Sequence, residues 1–258
     1  MLKFQEAYES CKAKWNSSHE APFLNENCPY NIYFSVLQQK IVNDDNPHTN
    51  GEYDLFEALQ PLFKVVVDVG ARDDTFFIEK SNPSTSLYLF EPHPEFYKTL
   101  VSNIESKNLQ NSRQDLKVLN MGLSDKNGTL QYFETAQSFV NRWNEQPSKE
   151  LSVVRLDSLV DLQNKSEISF IKIDTEGFEI DVLRGSTSLL HKTKLIQFEY
   201  GGTYPHRGVL LKDVIRLLQQ HNFYYFYYIY KDGLFPMDSQ SVLEHEQYCN
   251  ILATKFLL

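Results

Sequence analysis

The sequence predicts an α/β fold with a mostly parallel sheet, a C-terminal antiparallel strand pair and an N-terminal extension. Three observations carry this prediction. From Phe63 onward, short continuous apolar runs alternate with helical stretches, the pattern of strands buried on both faces with helices between them. Most of those runs end in a carboxylate or a glycine, where an open parallel sheet places its ligand. The aromatic run FYYFYYIY and the run YCNILATKF then close the chain as a strand pair.

Each element has its own signal. Residues 1–61 are polar and Asn-rich, with loops NENCPYNIYF and NDDNPHTNGEYD around one short helix, SVLQQKIV, and are taken as the extension. Residues 62–258 are taken as the main domain. KVVVDVG is the first strand, and DDTFFIEKS starts a helix with Asp73 or Asp74 as its N-cap. SLYLFEP is the second strand, followed by a helix that Pro94 opens. LKVLNMGLS is the third, and Asn127-Gly128 is a hairpin signal that turns GTLQYFE back as an antiparallel strand. VVRLDSLVDL is a strand running into a short helix, where Asp157 is read as a cap. ISFIKID and KLIQFEYG are two further buried strands, and EGFEIDVLRGSTSLL is the helix between them. The helix in RGVLLKDVIRLLQQHN places Leu210, Val214, Leu217 and Leu218 on one stripe. Asp232-Gly233 marks a turn after FYYFYYIY.

Composition narrows the function. The 258 residues carry 25 Lys and Arg against 34 Asp and Glu, a formal charge of −9. That field repels a phosphate backbone, so no nucleic-acid partner is expected. Cys11, Cys28 and Cys249 are odd in number and lack zinc spacing, which suits reduced thiols and a cytoplasmic location. The N-terminal residues lack the apolar core of a secretion signal, and no apolar run is long enough to span a bilayer.

The strand ends hold the candidate chemistry: residues 68–71, 91–93, 120–124, 174–177 and 199–202. Asp68-Val-Gly-Ala71 forms the first strand–helix turn, where Gly70 lets a ligand approach the backbone and the next helix start favours anions. Glu91 ends the second strand 21 residues after Gly70, where a carboxylate can accept both hydroxyls of a ribose. The pair suits a nicotinamide dinucleotide or S-adenosylmethionine. GARDDT has only the first glycine of a dinucleotide fingerprint, which disfavours the former.

In order, VVVDVGARDD, YLFEPHPEFYKTL, LNMGLSDKNGTLQYF, VVRLDSL, ISFIKIDTEGFEIDVLRGSTSLL and LIQFEYG resemble the motif blocks of the FkbM-type methyltransferases. The resemblance runs from about Phe63 to Phe256. It implies a class I, Rossmann-like fold, S-adenosylmethionine as donor, and O-methylation, with sugar hydroxyls as frequent acceptors. On these blocks the cofactor residues are Asp68, Gly70, Ala71, Arg72, Glu91, Pro92, Met121, Gly122 and Asp174. The family loop usually reads GANxG, whereas here Arg72 replaces the Asn and Asp74 the second Gly. Arg72 is then a candidate for the methionine carboxylate, and Asp73 or Asp74 for its ammonium. The competing reading is helix capping by an aspartate and a solvated Arg72.

Lys172 and Asp174 stand two apart on a strand and share a face. Asp174 would lie beside the sulfonium and orient the acceptor hydroxyl. Asp174, Glu199 and His206 are the candidates for removing its proton. Mg²⁺ on Asp174, Glu176 and Glu199 is chemically feasible, but nothing in the sequence requires it. Lys172, Glu176, Tyr204 and Arg207 are assigned to a carbohydrate acceptor. The expected activity is S-adenosylmethionine-dependent O-methylation of a sugar hydroxyl. An RNA ribose 2′-O-methyltransferase and a non-catalytic cofactor-binding module are the alternatives.

Overall fold

The computed structural model describes residues 1–15, 45–113, 115–141, 143–201, 203–237 and 248–258. The expected helix SVLQQKIV, the loop NENCPYNIYF, Cys28 and Gly202 lie outside the described residues. The chain divides into two compact units, Gln60–Phe198 and Met1–Leu59 with Glu199–Leu258.

Eight strands begin in the larger unit. They are β1 (Val65–Val69), β2 (Ser86–Phe90), β3 (Leu116–Leu119), β4 (Gly122–Leu123), β5 (Gly128–Tyr132), β6 (Lys149–Val154), β7 (Ile168–Ile173) and β8 (Thr193–Tyr200). Five of them form a parallel sheet in the order β8-β7-β1-β2-β3. Every residue of β1 and β2 is buried, as their predominantly apolar runs lead one to expect. The chain order reverses at β1, with β2 and β3 on one side and β7 and β8 on the other. A reversal of this kind opens a crevice at the carboxyl ends of β1 and β7.

The turn after β1 holds Gly70 at φ +86° and Arg72 at φ +51°. The helix Phe76–Lys80 follows, with Thr75 at its N-cap position. Asp74 accepts the Phe76 N–H at 2.9 Å, so the aspartate acts one residue upstream of the cap itself. The helix Pro94–Ser106 opens on its proline and buries Leu100 and Ile104.

The expected third strand is split. β3 stays in the parallel sheet, while β4 joins a separate three-stranded sheet in the order β4-β6-β5. The hairpin partner is also corrected: β5 runs antiparallel to β6, not back along the third strand. Asn127 explains the pairing. Its Oδ1 accepts the Arg155 N–H at 2.7 Å, which ties the start of β5 to the end of β6. Asp157 caps a helix, but not its own. Its Oδ1 accepts the Ser188 N–H at 3.1 Å at the start of the helix Thr187–Leu190.

The smaller unit contains the helices Phe4–Lys14, Glu52–Leu59 and Leu211–Gln219 and the strands β9 (Tyr225–Tyr230), β10 (Gly233–Met237) and β11 (Cys249–Thr254). β9 is central and antiparallel to both neighbours. The C-terminal antiparallel pair is therefore present, and the turn after β9 adds β10 to it. Leu2 and Leu234 exchange backbone hydrogen bonds at 2.8 and 2.7 Å. Buried Glu52 accepts from the Asn50 and Asn250 side chains at 2.7 and 2.8 Å. On the helix Leu211–Gln219 the buried residues are Leu211, Val214, Ile215 and Leu218. Leu210, expected on that stripe, is the exposed N-cap.

Candidate active site

Three strand ends of the larger unit bring carboxylates together. Asp68 lies in β1 opposite Lys172 of β7. Lys172 Nζ is 3.0 Å from Asp174 Oδ2 and 3.9 Å from Asp68 Oδ1. The expected Lys172–Asp174 pair is thus present, and it includes a second carboxylate. Asp68 is buried, and its Oδ1 has no hydrogen-bond partner. Burial raises the Asp68 pKa to about 7; Lys172 opposes the rise, and Asp74, Asp174 and Glu91 reinforce it.

Glu91 follows β2. Its Oε2 accepts the Arg72 N–H at 2.9 Å and its Oε1 the His93 N–H at 2.7 Å. Burial pushes its pKa up, and the two N–H donors hold it back. Glu91 thereby fixes the turn after β1, where the non-glycine Arg72 needs support in the left-handed region. The Arg72 side chain is exposed, with its guanidinium 5.0 Å from the centre of the Phe96 ring. Pro92 is half-buried, and the Asn120 side chain donates to the Glu91 and Pro92 carbonyls at 2.9 and 3.1 Å. His93 is buried and contacts Glu134 at 3.2 Å and Lys149 at 3.0 Å through Nε2.

Two glycines have structural reasons that the sequence did not show. A Cβ on Gly70 would overlap the Asp174 carbonyl oxygen, so the glycine admits the β7 end and Ala71 is buried beside it. A Cβ on Gly122 would stand 2.9 Å from Phe139 Cε2, so packing against Phe139 explains this glycine. Met121, next to it, is half-buried.

The loop after β7 is the most constrained part of the site. Glu176 sits at φ +54° and Gly177 at +99°. Glu179 is fully buried, and its Oε1 accepts the Thr175 N–H at 2.9 Å, the Thr175 hydroxyl at 2.9 Å and the Gly177 N–H at 3.2 Å. Its Oε2 has no partner, and burial raises the pKa to about 7. Ser138 Oγ donates to the Thr175 and Glu176 carbonyls at 3.2 and 3.0 Å, and Phe139 packs on Phe178 at 5.5 Å. The connection between β5 and β6 is thereby fastened to the loop that follows Asp174. Glu179, Ser138 and Phe139 were not singled out from sequence. Glu179 lies within the block that carries the resemblance, so a carboxylate on a helix's first turn was its available signal. The Ser138 tie had none.

Glu199, Tyr204, His206 and Arg207 belong to the smaller unit. Glu199 is buried near the end of β8. Tyr204 is buried, its hydroxyl donates to the Glu199 carbonyl at 2.9 Å, and its ring meets Tyr200 edge-on at 4.6 Å. The Tyr204 ring, assigned from sequence to the carbohydrate acceptor, is buried in packing. His206 and Arg207 lie in the short turn Pro205–Arg207, with His206 exposed.

A cavity of about 400 Å³ lies at the opposite, amino-terminal edge of the parallel sheet, lined by Phe63, Lys64, Ser84, Ser86, Lys165 and Glu167 among others. It shares none of the carboxylates above.

Residues 68–225 match the family model of the methyltransferase FkbM domain. The chain belongs to the FkbM methyltransferase family. The FkbM match begins at Asp68 and spans the whole carboxylate-bearing edge, so the chain is a methyltransferase with the family's class I fold. It is 24% identical over 172 residues to the hexuronic acid methyltransferase AglP of Haloferax volcanii, covering 62% of this chain and 68% of that protein. It is 24% identical over 177 residues to the 2-O-methyltransferase NoeI of Sinorhizobium fredii, covering 60% and 70%. The crystal structure of an FkbM methyltransferase from Methylobacillus flagellatus aligns with TM-score 0.49 and 15% identity, over 74% of this chain and 43% of that one.

FkbM membership implies S-adenosylmethionine as the methyl donor, and the residues present fit it. That molecule offers an ammonium, a sulfonium and two ribose hydroxyls, all of which seek anions or acceptors. The edge provides Asp68, Glu91 and Asp174, and Asp68 Oδ1 is a buried acceptor lacking a hydrogen-bond donor. Each Glu91 oxygen keeps a second acceptor position beyond its backbone bond.

Proposed function

We propose that this chain transfers a methyl group from S-adenosylmethionine to a hydroxyl of a sugar in a glycan or glycosylated metabolite. The single observation carrying this reading is the convergence of Asp68, Glu91 and Asp174 on the carboxyl edge of β1, β2 and β7, inside the family match. The names of the two relatives, a hexuronic acid methyltransferase and a 2-O-methyltransferase, support a sugar hydroxyl as acceptor.

Glu91 would hold the ribose hydroxyls, and Asp68 the ammonium. Gly70, Ala71, Arg72, Pro92, Met121 and Gly122 would complete the cofactor cradle. S-adenosylmethionine supplies an electrophilic methyl group on a positive sulfur. The chain's own task is to align the acceptor hydroxyl, exclude water and remove the hydroxyl proton. Asp174 is the residue we assign to that proton. Lys172 holds its Oδ2 at 3.0 Å and leaves Oδ1 to face the acceptor. The turn built by Glu179 fixes the backbone on which Asp174 stands. Glu176 and Arg207 are assigned to the acceptor. Glu199 and His206 are the rival bases.

The test is incubation of the protein with labelled S-adenosylmethionine and a panel of acidic and neutral oligosaccharides. Label transferred to a sugar hydroxyl is the expected result. Label transferred only to a structured RNA, or to nothing, overturns the reading.

A further inference from the structure

The loop after β7 takes a shape that its residues do not favour by themselves. Glu176 carries a side chain yet sits in the left-handed region at φ +54°. A non-glycine residue stays there only where its surroundings hold it. Two side chains supply the hold. Glu179 Oε1 accepts the N–H groups of Thr175 and Gly177. Ser138 Oγ donates to the Thr175 carbonyl at 3.2 Å and to the Glu176 carbonyl at 3.0 Å. Those two carbonyls belong to the planar peptide groups on either side of the Glu176 Cα. Rotation about its φ would turn the first group and rotation about its ψ the second, so one hydroxyl fixes both angles. The peptide between Glu176 and Gly177 is gripped at both ends, its carbonyl by Ser138 and its N–H by Glu179.

The hydroxyl is itself fixed. Ser138 is buried. Its oxygen accepts the Val140 N–H at 3.1 Å, which leaves the hydroxyl proton for the carbonyls. Its backbone exchanges hydrogen bonds with Phe133 at 2.9 and 3.3 Å, directly after β5. The neighbouring Phe139 ring packs on Phe178.

The group placed by this grip is a carboxylate beside the reacting centre. One carboxylate oxygen of Glu176 lies within 4.8 Å of one of Asp174. Asp174 has supports of its own, since its N–H donates to the Val69 carbonyl at 3.0 Å and Lys172 holds its Oδ2. The direction in which the Glu176 side chain leaves the backbone follows from the φ and ψ that Ser138 fixes.

We propose that Ser138 is a positioning residue for the methyl transfer: it sets the Glu176 backbone so that the Glu176 carboxylate orients the acceptor sugar beside Asp174. This rests on the sugar reading above.

The experiment uses the full chain, labelled S-adenosylmethionine, and methyl glucuronide with methyl glucoside as the neutral acceptor. Ser138→Ala removes the hydroxyl and little volume. Its kcat/KM for the sugar should fall by about tenfold or more, as a misplaced group at a reacting centre costs. Its affinity for S-adenosylhomocysteine should stay at the wild-type value. Glu176→Ala separates positioning from general support of the fold. On that background Ser138→Ala should cost no further activity, because the side chain it places is gone. If the alanine variant fails to fold, Ser138→Cys, which keeps a weaker donor, takes its place in the same cycle. Amide exchange at Thr175 and Gly177, which needs no acceptor, should quicken when the Ser138 hydroxyl is removed. Unchanged exchange, an unchanged kcat/KM, or an equal loss with and without the Glu176 side chain overturns the inference and leaves the sugar reading standing. Failure of the wild type to methylate these sugars or any of the oligosaccharide panel overturns both.

Discussion

Gly70 and Asp174 meet backbone to backbone: the carbonyl oxygen of Asp174 occupies the space a Cβ on residue 70 would need. Two strand ends that approach a ligand are thus first packed on each other. Any side chain at 70 displaces the residue assigned to the proton.

Gly70→Ala should therefore destabilise the chain and disable it together. The φ of +86° costs an alanine about 1–3 kcal/mol before the overlap is counted. Urea unfolding should show a lower midpoint, and turnover should fall in the fraction that remains folded. An alanine variant with wild-type midpoint and turnover would contradict the packing.

Glu91→Gln keeps the side chain's size and one carbonyl oxygen for a backbone donor. It removes the charge that suits ribose hydroxyls. Affinity for S-adenosylmethionine should fall by about 1.5–3 kcal/mol, the range for a charged hydrogen bond. Calorimetry with S-adenosylhomocysteine should show the same loss, because the ribose is common to both. Unchanged affinity for both would take Glu91 out of the site and leave it the support of the Arg72 turn.

Asp174→Asn should fold and bind cofactor while turnover drops at least ~100-fold, a common contribution of a positioned acid or base. Glu199→Gln and His206→Ala belong in the same series. If His206→Ala alone shows the large drop, the exposed histidine is the base.

Glu179 makes stability depend on pH. An unfolded glutamate titrates near 4.3, whereas burial raises the folded group to about 7. Between those values the folded chain holds more protons than the unfolded one. Its contribution to stability thus falls as pH rises from about 4 to about 7 and is level above that. Glu179→Gln cannot ionise, and its amide oxygen can keep the Thr175 and Gly177 N–H bonds. The melting temperature of the variant minus that of the wild type should be more positive at about pH 8 than at about pH 5. A difference that is the same at both would show that Glu179 does not titrate in the fold. Asp68 shifts in the same window, but it is common to both proteins and cancels in the comparison.

Sequence patterns revealed the parallel strands because each is a short, predominantly apolar run without the strict alternation of a half-exposed strand, as expected of strands buried on both faces. The carboxylates of the site were visible for the complementary reason, since Asp68 and Glu91 interrupt or end such runs. The pairing of β5 with β6 was hidden. Asn127-Gly128 signals a turn but does not say which strand receives it, and the deciding bond runs from Asn127 to Arg155, 28 residues away. The packing of Gly122 against Phe139 was hidden for a similar reason: a glycine that admits a side chain looks in sequence like one that admits a ligand. The Ser138 contacts with the loop after β7 span 37 and 38 residues, and no local spacing encodes them.

The cysteines have a use beyond packing. Cys11 and Cys249 are buried free thiols, and burial pushes the Cys11 pKa up to about 12, so neither can react until its surroundings open. Both lie in the unit formed by Met1–Leu59 and Glu199–Leu258, and Gln60–Phe198 contains no cysteine at all. With Cys28 replaced by serine, the rate at which an alkylating reagent labels the native protein becomes a clock for the opening of that unit alone. Run with and without S-adenosylhomocysteine, the clock would report whether filling the methyltransferase site quiets fluctuations in the chain's two ends.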